Sequence, residues 1–89
     1  MKAYITVLGR DRTGIIARVA TLLYEADVNI LDITQTILGG LFTMVMLADL
    51  GGMKSSFDEL SGKLGALAED MGLEIRMQRS EIFEAMHRV

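Results

Sequence analysis

The chain has 89 residues, of which 51% are hydrophobic and none is cysteine, and its formal net charge is −3. The absence of cysteine excludes disulfides, thiolate metal sites and a thiol nucleophile, and the acidic balance argues against nucleic acid or an anionic membrane as a partner. A single domain of this length cannot bury so much apolar surface alone, so we expect it to self-associate.

The first predicted element is a strand. Residues 3–8 are rich in β-forming side chains and alternate weakly, which predicts an inward face formed by Ala3, Ile5 and Val7. This strand begins almost at the first residue, without a signal-peptide pattern, and the chain has no apolar run long enough to span a bilayer. We therefore expect a cytoplasmic protein.

A polar segment, residues 9–14, joins this strand to an amphipathic helix. Asp11 or Thr13 can cap the helix, which we expect to end near Ala26. The free N–H groups and the positive dipole end at its start form a small polar pocket. Apolar residues at helical spacing predict a buried stripe on this helix. Its members are Ile16, Val19, Ala20 and Leu23.

Residues 28–38 and 41–49 are predicted to be two strands of a hairpin, because Gly39-Gly40 between them is a strong signal for a two-residue turn. The second of these strands is apolar on both faces. One face carries Phe42, Met44 and Met46, and the other carries Leu41, Val45 and Leu47. Because helices can cover only one face, we expect the tail helix, a second copy of the chain, or both to cover the other.

The rest of the chain predicts a helix, a strand and a short tail helix. Ser56 and Glu59 have the spacing of a capping box, and Gly72 occupies the C-cap position after an apolar repeat. Residues 73–79 alternate between apolar and polar side chains, which indicates a strand with one wet face. Residues 80–89 then carry the tail helix.

The element order β-α-β-β-α-β followed by a helix predicts the α+β class. Two right-handed crossovers that share one sheet give a ferredoxin-like sandwich, with antiparallel strands in the order 4-1-3-2 and both helices on one face. We expect residues 1–79 to form this domain and residues 80–89 to form the C-terminal tail helix.

The chain resembles the ACT domain, a family of small βαββαβ modules that regulate amino-acid metabolism by binding amino acids. The resemblance covers residues 2–79, and the stretch from Ile33 to Met44 is similar to small standalone ACT proteins related to the ACT halves of glycine-cleavage regulators. It is carried by the pattern Asp11-x-x-Gly14-Ile15-Ile16-Ala17-x-Val19-Ala20-x-Leu22-Leu23 and by Val28-Asn29-Ile30.

The resemblance implies a ligand site between the loop after strand 1 and the start of strand 2, often across a subunit interface. In this chain the corresponding residues are Asp11, Arg12, Thr13, Gly14, Ile15, Asn29 and Ile30. The N–H groups near the helix start suit the carboxylate of an amino acid, and Asp11 or the Asn29 amide oxygen suits its ammonium. The alternative is purely structural: helix capping, close packing at Gly14, and a turn at Asn29.

Two positions depart from the family's pattern. Gly9 stands where some amino-acid-binding members have histidine, and Thr13 stands where several have proline. The resemblance therefore leaves the identity of the ligand open.

No constellation of residues suggests catalysis. His87, the only histidine, lies in the predicted tail helix without a fixed acid or nucleophile beside it in sequence. Acylphosphatases share the topology, but residues 7–11 do not match their phosphate-gripping loop. RNA-recognition motifs also share it, but residues 41–47 offer one aromatic side chain and no basic flank. We expect no catalytic residue, no metal and no cofactor.

We therefore predict a non-enzymatic, homodimeric regulatory protein that binds a small molecule, an amino acid in the first instance, and signals to a protein partner. The alternative is an interaction module without a small ligand, in which the open sheet face and the tail helix dock onto another protein or onto other copies. A small hydrolase of the acylphosphatase kind is the third hypothesis.

Overall fold

The computed structural model describes residues 1–86. All its strands form one antiparallel sheet in the order β2-β3-β1-β4, which is the predicted order read from the opposite edge. The ferredoxin-like α+β prediction is confirmed, including the C-terminal helix. The elements are β1 (Lys2–Arg10), α1 (Ile15–Glu25), β2 (Asn29–Leu38), β3 (Leu41–Asp49), α2 (Phe57–Met71), β4 (Leu73–Arg79) and α3 (Ser80–Met86).

Strand β1 is longer than predicted, because Gly9 and Arg10 pair with Phe42 and Leu41 of β3. The loop before α1 is correspondingly short. The last part of the predicted tail helix, including His87, lies outside the described residues.

The core lies between the sheet and helices α1 and α2. Alternate residues of the two central strands face the helices and are almost fully buried, as predicted for Ala3, Ile5 and Val7. On α1, however, the buried stripe is Ile15, Val19 and Leu23, and Ile16 is 40% exposed. The prediction that Ile16 is buried was wrong, because both stripes have helical spacing and periodicity alone does not choose between adjacent apolar residues.

The helix ends match the sequence signals at α2 but not at α1. Ser56 and Glu59 form the predicted capping box, and Gly72 adopts the left-handed conformation at the C-terminus of α2. At α1 the N-cap is Gly14, and no side chain caps the helix. The predicted capping by Asp11 or Thr13 was therefore wrong.

Among residues 1–86, the second face of the sheet is covered only at one end. Because directly paired residues point to the same side, β1 and β3 present Tyr4, Thr6, Leu8, Thr43, Val45 and Leu47 on this open face. Helix α3 folds back over the Tyr4 end, where the rings of Tyr4 and Phe83 stack with centroids 4.3 Å apart. Thus the tail helix supplies part of the predicted cover and leaves the other end open.

Strand β2 is an outer strand of the sheet and is ten residues long. It pairs with β3 on one side, and no strand of residues 1–86 pairs with its other side. A register shift between Ile30 and Asp32 makes Leu31 the extra residue of a bulge. Four large apolar side chains on this strand are at least 44% exposed: Leu31, Ile33, Ile37 and Leu38. Within residues 1–86, no helix is long and apolar enough to cross a membrane.

Candidate functional site

An open cleft of about 230 Å³ lies between the start of α1 and the second half of β2. It contains four of the predicted site residues, and β2 and β3 supply the opposite wall. The lining residues are Asp11, Arg12, Gly14, Ile15, Ile16, Ala17, Gln35, Ile37 and Phe42.

The start of α1 offers unpaired N–H donors to this cleft. Gly14 has a φ of 91°, a left-handed conformation that favours glycine, and the first helical hydrogen bond runs from the Arg18 N–H to the Gly14 carbonyl at 2.9 Å. The first turn contains no acidic residue and receives no side-chain cap. With the positive end of the helix dipole, these donors suit a carboxylate or another small anion.

The loop is held in place by the elements around it. The Asp11 N–H donates to the Gly40 carbonyl at 2.8 Å, which joins the loop to the hairpin turn. The Arg12 Nη1 donates to the Met71 carbonyl at the end of α2, at 3.4 Å. The Arg12 guanidinium is therefore bonded to the end of α2. The Asp11 carboxylate and the Thr13 hydroxyl are exposed beside the cleft.

The structure does not bring Asn29 and Ile30 to this cleft in the same chain. Asn29 pairs with Asp49, and Asp49 also pairs with Lys2 at the far end of β1. The loop follows Arg10, at the opposite end of that strand. Because a strand rises about 3.4 Å per residue, Asn29 and the loop lie roughly 27 Å apart along the sheet.

Five residues of the cleft were not predicted as site residues: Ile16, Ala17, Gln35, Ile37 and Phe42. Gln35 and Ile37 pair with Met44 and Phe42 and so lie on the helix side of the sheet. The Gly39-Gly40 turn, which sets Leu38 opposite Leu41, contained the signal for this pairing. Gln35 brings an amide that both donates and accepts hydrogen bonds, and Ile37 brings an exposed apolar side chain.

Gly9 has a packing role in this chain. It lies in β1 beside the start of β4, where a Cβ atom would come 2.6 Å from Leu73 Cδ2 and 3.3 Å from Leu73 Cα. A larger side chain at this position would have to move the Leu73 side chain and shift the backbone of β4 by a few tenths of an ångström, so a ligand-binding histidine at Gly9 would require rearrangement.

The chain is therefore a small βαββαβ module with an open cleft beside the uncapped start of its first helix. The sequence profile of the ACT domain matches residues 3–78. The chain belongs to the ACT domain family, whose members are regulatory ligand-binding modules.

Individual relatives agree with this assignment. A UPF0237 protein of Bifidobacterium longum is 50% identical over 88 residues, which cover 99% of this chain and 98% of the relative. A UPF0237 protein of Listeria monocytogenes is 44% identical over 89 residues, the full length of both chains.

Solved structures show the same relationship. An ACT domain protein from Streptococcus pneumoniae superposes with a TM-score of 0.81 at 38% identity, covering 94% of each chain. A protein described as a glycine cleavage system transcriptional repressor superposes with a TM-score of 0.79 at 32% identity. That match covers 89% of this chain and 45% of the repressor.

Proposed function

We propose that this protein is a non-enzymatic, cytoplasmic sensor that binds an amino acid at a site shared between two copies of the chain. The observation that supports this proposal most strongly is the placement of the uncapped α1 N-terminus and Asn29 at opposite ends of one apolar edge strand, β2. One chain then holds two half-sites, and a second chain is needed to complete each of them.

Edge-to-edge pairing of β2 would join these half-sites. An exposed edge of ten residues with apolar side chains offers unpaired backbone groups to another strand. In a symmetric antiparallel pair centred on β2, Asn29 of one copy comes level with Leu38 of the other. Leu38 follows Ile37, which is a residue of the cleft wall. Ile30 of the second copy, on the helix side of its sheet, therefore arrives beside the loop of the first copy, with Asn29 next to it at the end of the strand.

The chemistry of the combined site fits a free amino acid. The N–H groups of the first turn of α1 donate hydrogen bonds to the carboxylate. The Asp11 carboxylate, or the Asn29 amide oxygen reaching around the end of the strand, accepts hydrogen bonds from the ammonium. The exposed side chains of Ile16 and Ile37 then offer apolar contact to the ligand side chain.

Regulation follows from the position of this ligand between two copies. A ligand that contacts both subunits stabilises the arrangement in which both half-sites meet, and this shift in population is what a protein partner would detect. The similarity to a glycine cleavage system repressor supports a regulatory role in amino-acid metabolism.

Titration calorimetry against the twenty common amino acids tests the proposal. We expect one or a few of them to bind the wild-type protein, and we expect Asp11→Ala and Asn29→Ala each to weaken binding by roughly tenfold or more, since each removes a charge-assisted contact. Thr21→Ala, an exposed change on α1 outside the cleft, is the matched control. An assembled, folded protein that binds none of the twenty would refute amino-acid sensing.

The second candidate function is a ligand-free interaction module. It is favoured by the open end of the sheet face, which α3 leaves uncovered. Under this alternative, Asp11→Ala and Asn29→Ala would leave every association of the protein unchanged, and no amino acid would alter its thermal stability.

A further inference from the structure

The open face of the sheet divides into two unlike ends. At one end α3 covers the sheet, with Phe83 stacked on Tyr4 and the Gln78 Nε2 donating to Met86 Sδ at 3.7 Å. At the other end an open groove of about 420 Å³ exposes a largely apolar floor. The side chains that form it are Thr6, Leu8, Thr43, Val45, Glu74 and Arg76.

Helix α3 is apolar on more than the side that meets its own sheet. Phe83 is half-buried against Tyr4, whereas Ile82 is 49% exposed and Met86 is 64% exposed. Ile82 and Met86 are four residues apart and lie on the same side of the helix. None of the described residues of α3 is fully buried, so this helix has an apolar surface that residues 1–86 do not cover.

We propose that the open faces of two copies pair, and that α3 of each copy docks into the groove of the other. A two-fold axis between the faces, perpendicular to the strands, brings the covered end of one sheet opposite the empty end of its partner. Each α3 then lies between two sheets, with Phe83 and the Met86 sulfur against its own sheet. Ile82 and the exposed remainder of Met86 lie in the groove of the second copy. This inference is independent of ligand binding and of β2 pairing.

The charges at the two ends are complementary in this arrangement. Helix α3 carries the exposed carboxylates of Glu81 and Glu84. The empty end carries Arg10, which follows Leu8 on the open side of β1, and the Glu74–Arg76 ion pair with its 2.6 Å contact. In the two-fold arrangement, the acidic helix of one copy therefore meets the empty end of the other copy's sheet, which carries a net positive charge.

The available area is sufficient for a specific interface. A four-stranded face with strands about 4.8 Å apart and about 27 Å long measures roughly 500 Å². Its own α3 covers about half of each face, so the two empty ends contribute roughly 500 Å². The two docked helices bury a comparable area against them, and the total of roughly 1,000 Å² reaches the lower range of specific interfaces.

Sedimentation equilibrium of charged variants tests the inference. Since α3 contains no buried residue, Ile82→Glu with Met86→Glu keeps the fold, which far-ultraviolet circular dichroism verifies. We expect this double variant to have half the mass of the wild-type assembly, and Ala66→Glu, on the exposed side of α2, to keep the full mass. Leu31→Lys with Ile33→Lys addresses the β2 edge separately.

The outcomes of these measurements separate the two interfaces. An unchanged mass for the α3 double variant overturns face pairing, whatever the β2 variant does. A halved mass for the α3 variant supports face pairing, whatever the mass of the β2 variant. An unchanged mass for the β2 variant counts only against the edge-paired dimer of the proposed function. A wild-type protein that sediments as a single chain overturns both.

A disulfide test locates the docked helix. Because the chain has no cysteine, Ile82→Cys in one tagged copy and Thr43→Cys in an untagged copy can be mixed and oxidised. We expect the mixed disulfide to form at least roughly tenfold faster than that between Ala66→Cys and Thr43→Cys, because docking raises the local thiol concentration. Equal rates for the two mixtures would overturn the proposed docking of α3.

Discussion

At the scale of single residues, Gly9 and Gly14 act through different physics. Gly9 is needed for space, because β4 passes so close that a Cβ atom would meet Leu73. Gly14 has open space around its Cα but a φ of 91°. The first residue therefore limits the packing of the sheet, and the second sets the conformation of the loop that begins the cleft.

Gly9→Ala should lower the free energy of unfolding by about 1–3 kcal/mol, the usual cost of adding atoms to a packed site. Gly65→Ala is the control: it lies on the exposed side of α2 with nothing within 4 Å, and should raise stability by about 0.5–1 kcal/mol. Urea titration measures both changes. Equal stabilities for the two variants would show that β4 does not constrain Gly9.

Gly14→Val should abolish the response to an amino acid and leave a folded protein. A β-branched residue at this φ costs about 1–3 kcal/mol and shifts the N–H groups at the start of α1. Gly14→Asn, which tolerates left-handed backbone, should retain most of the binding. Calorimetry on both variants checks this, and full binding by Gly14→Val would place the ligand elsewhere.

At the scale of elements, the sequence signals for α2 were complete and those for α1 were not. The capping box at Ser56 and the glycine at the C-terminus of α2 are local patterns, and both formed as predicted. The start of α1 depends on the hairpin, because the Asp11 N–H bonds to the Gly40 carbonyl. Such a contact between distant parts of the chain cannot be derived from the loop sequence alone.

Ser56→Ala should lower the free energy of unfolding by about 1 kcal/mol, because the Ser56 hydroxyl accepts the Glu59 N–H at 3.1 Å. Ser61→Ala, at an exposed position within α2, is the matched control and should have little effect. Thermal or urea unfolding measures the difference. A Ser56→Ala protein as stable as the control would show that the cap contributes nothing to folding.

The separation of Asn29 from the loop could have been predicted from the elements. A helix that connects two strands of one sheet runs back along the strands, so its two ends lie at opposite ends of the sheet. The predicted boundaries of α1 therefore already assigned the loop and Asn29 to opposite ends. The choice of Ile15 over Ile16 as a core residue, by contrast, could not be made from periodicity, because both positions fit a helical stripe.

At the scale of the whole molecule, the largest apolar surfaces left exposed are the edge strand β2, the open end of the sheet face and the outer side of α3. The sequence predicted the second of these from the two-sided pattern of β3, because alternation shows which side chains share a face. It did not single out β2 as the exposed edge, although the predicted strand order made β2 an outer strand.

Leu31→Lys with Ile33→Lys should separate edge-paired copies, because lysine on an exposed edge opposes strand addition. The same double variant should also lose amino-acid binding, although neither residue lines the cleft. Ala66→Lys is the control for added charge. Sedimentation and calorimetry on one sample check both effects, and retained binding by a single-chain protein would refute a site shared between copies.

If each ligand site combines the loop of one chain with Asn29 of another, two variants that are each defective should restore binding when they are mixed. Asp11→Ala and Asn29→Ala are each expected to bind poorly alone. Mixed after reversible dissociation, they should recover about one quarter of the wild-type sites, because half of the random dimers contain one intact site of two. Calorimetry that finds no recovered sites in the mixed dimers would contradict the account.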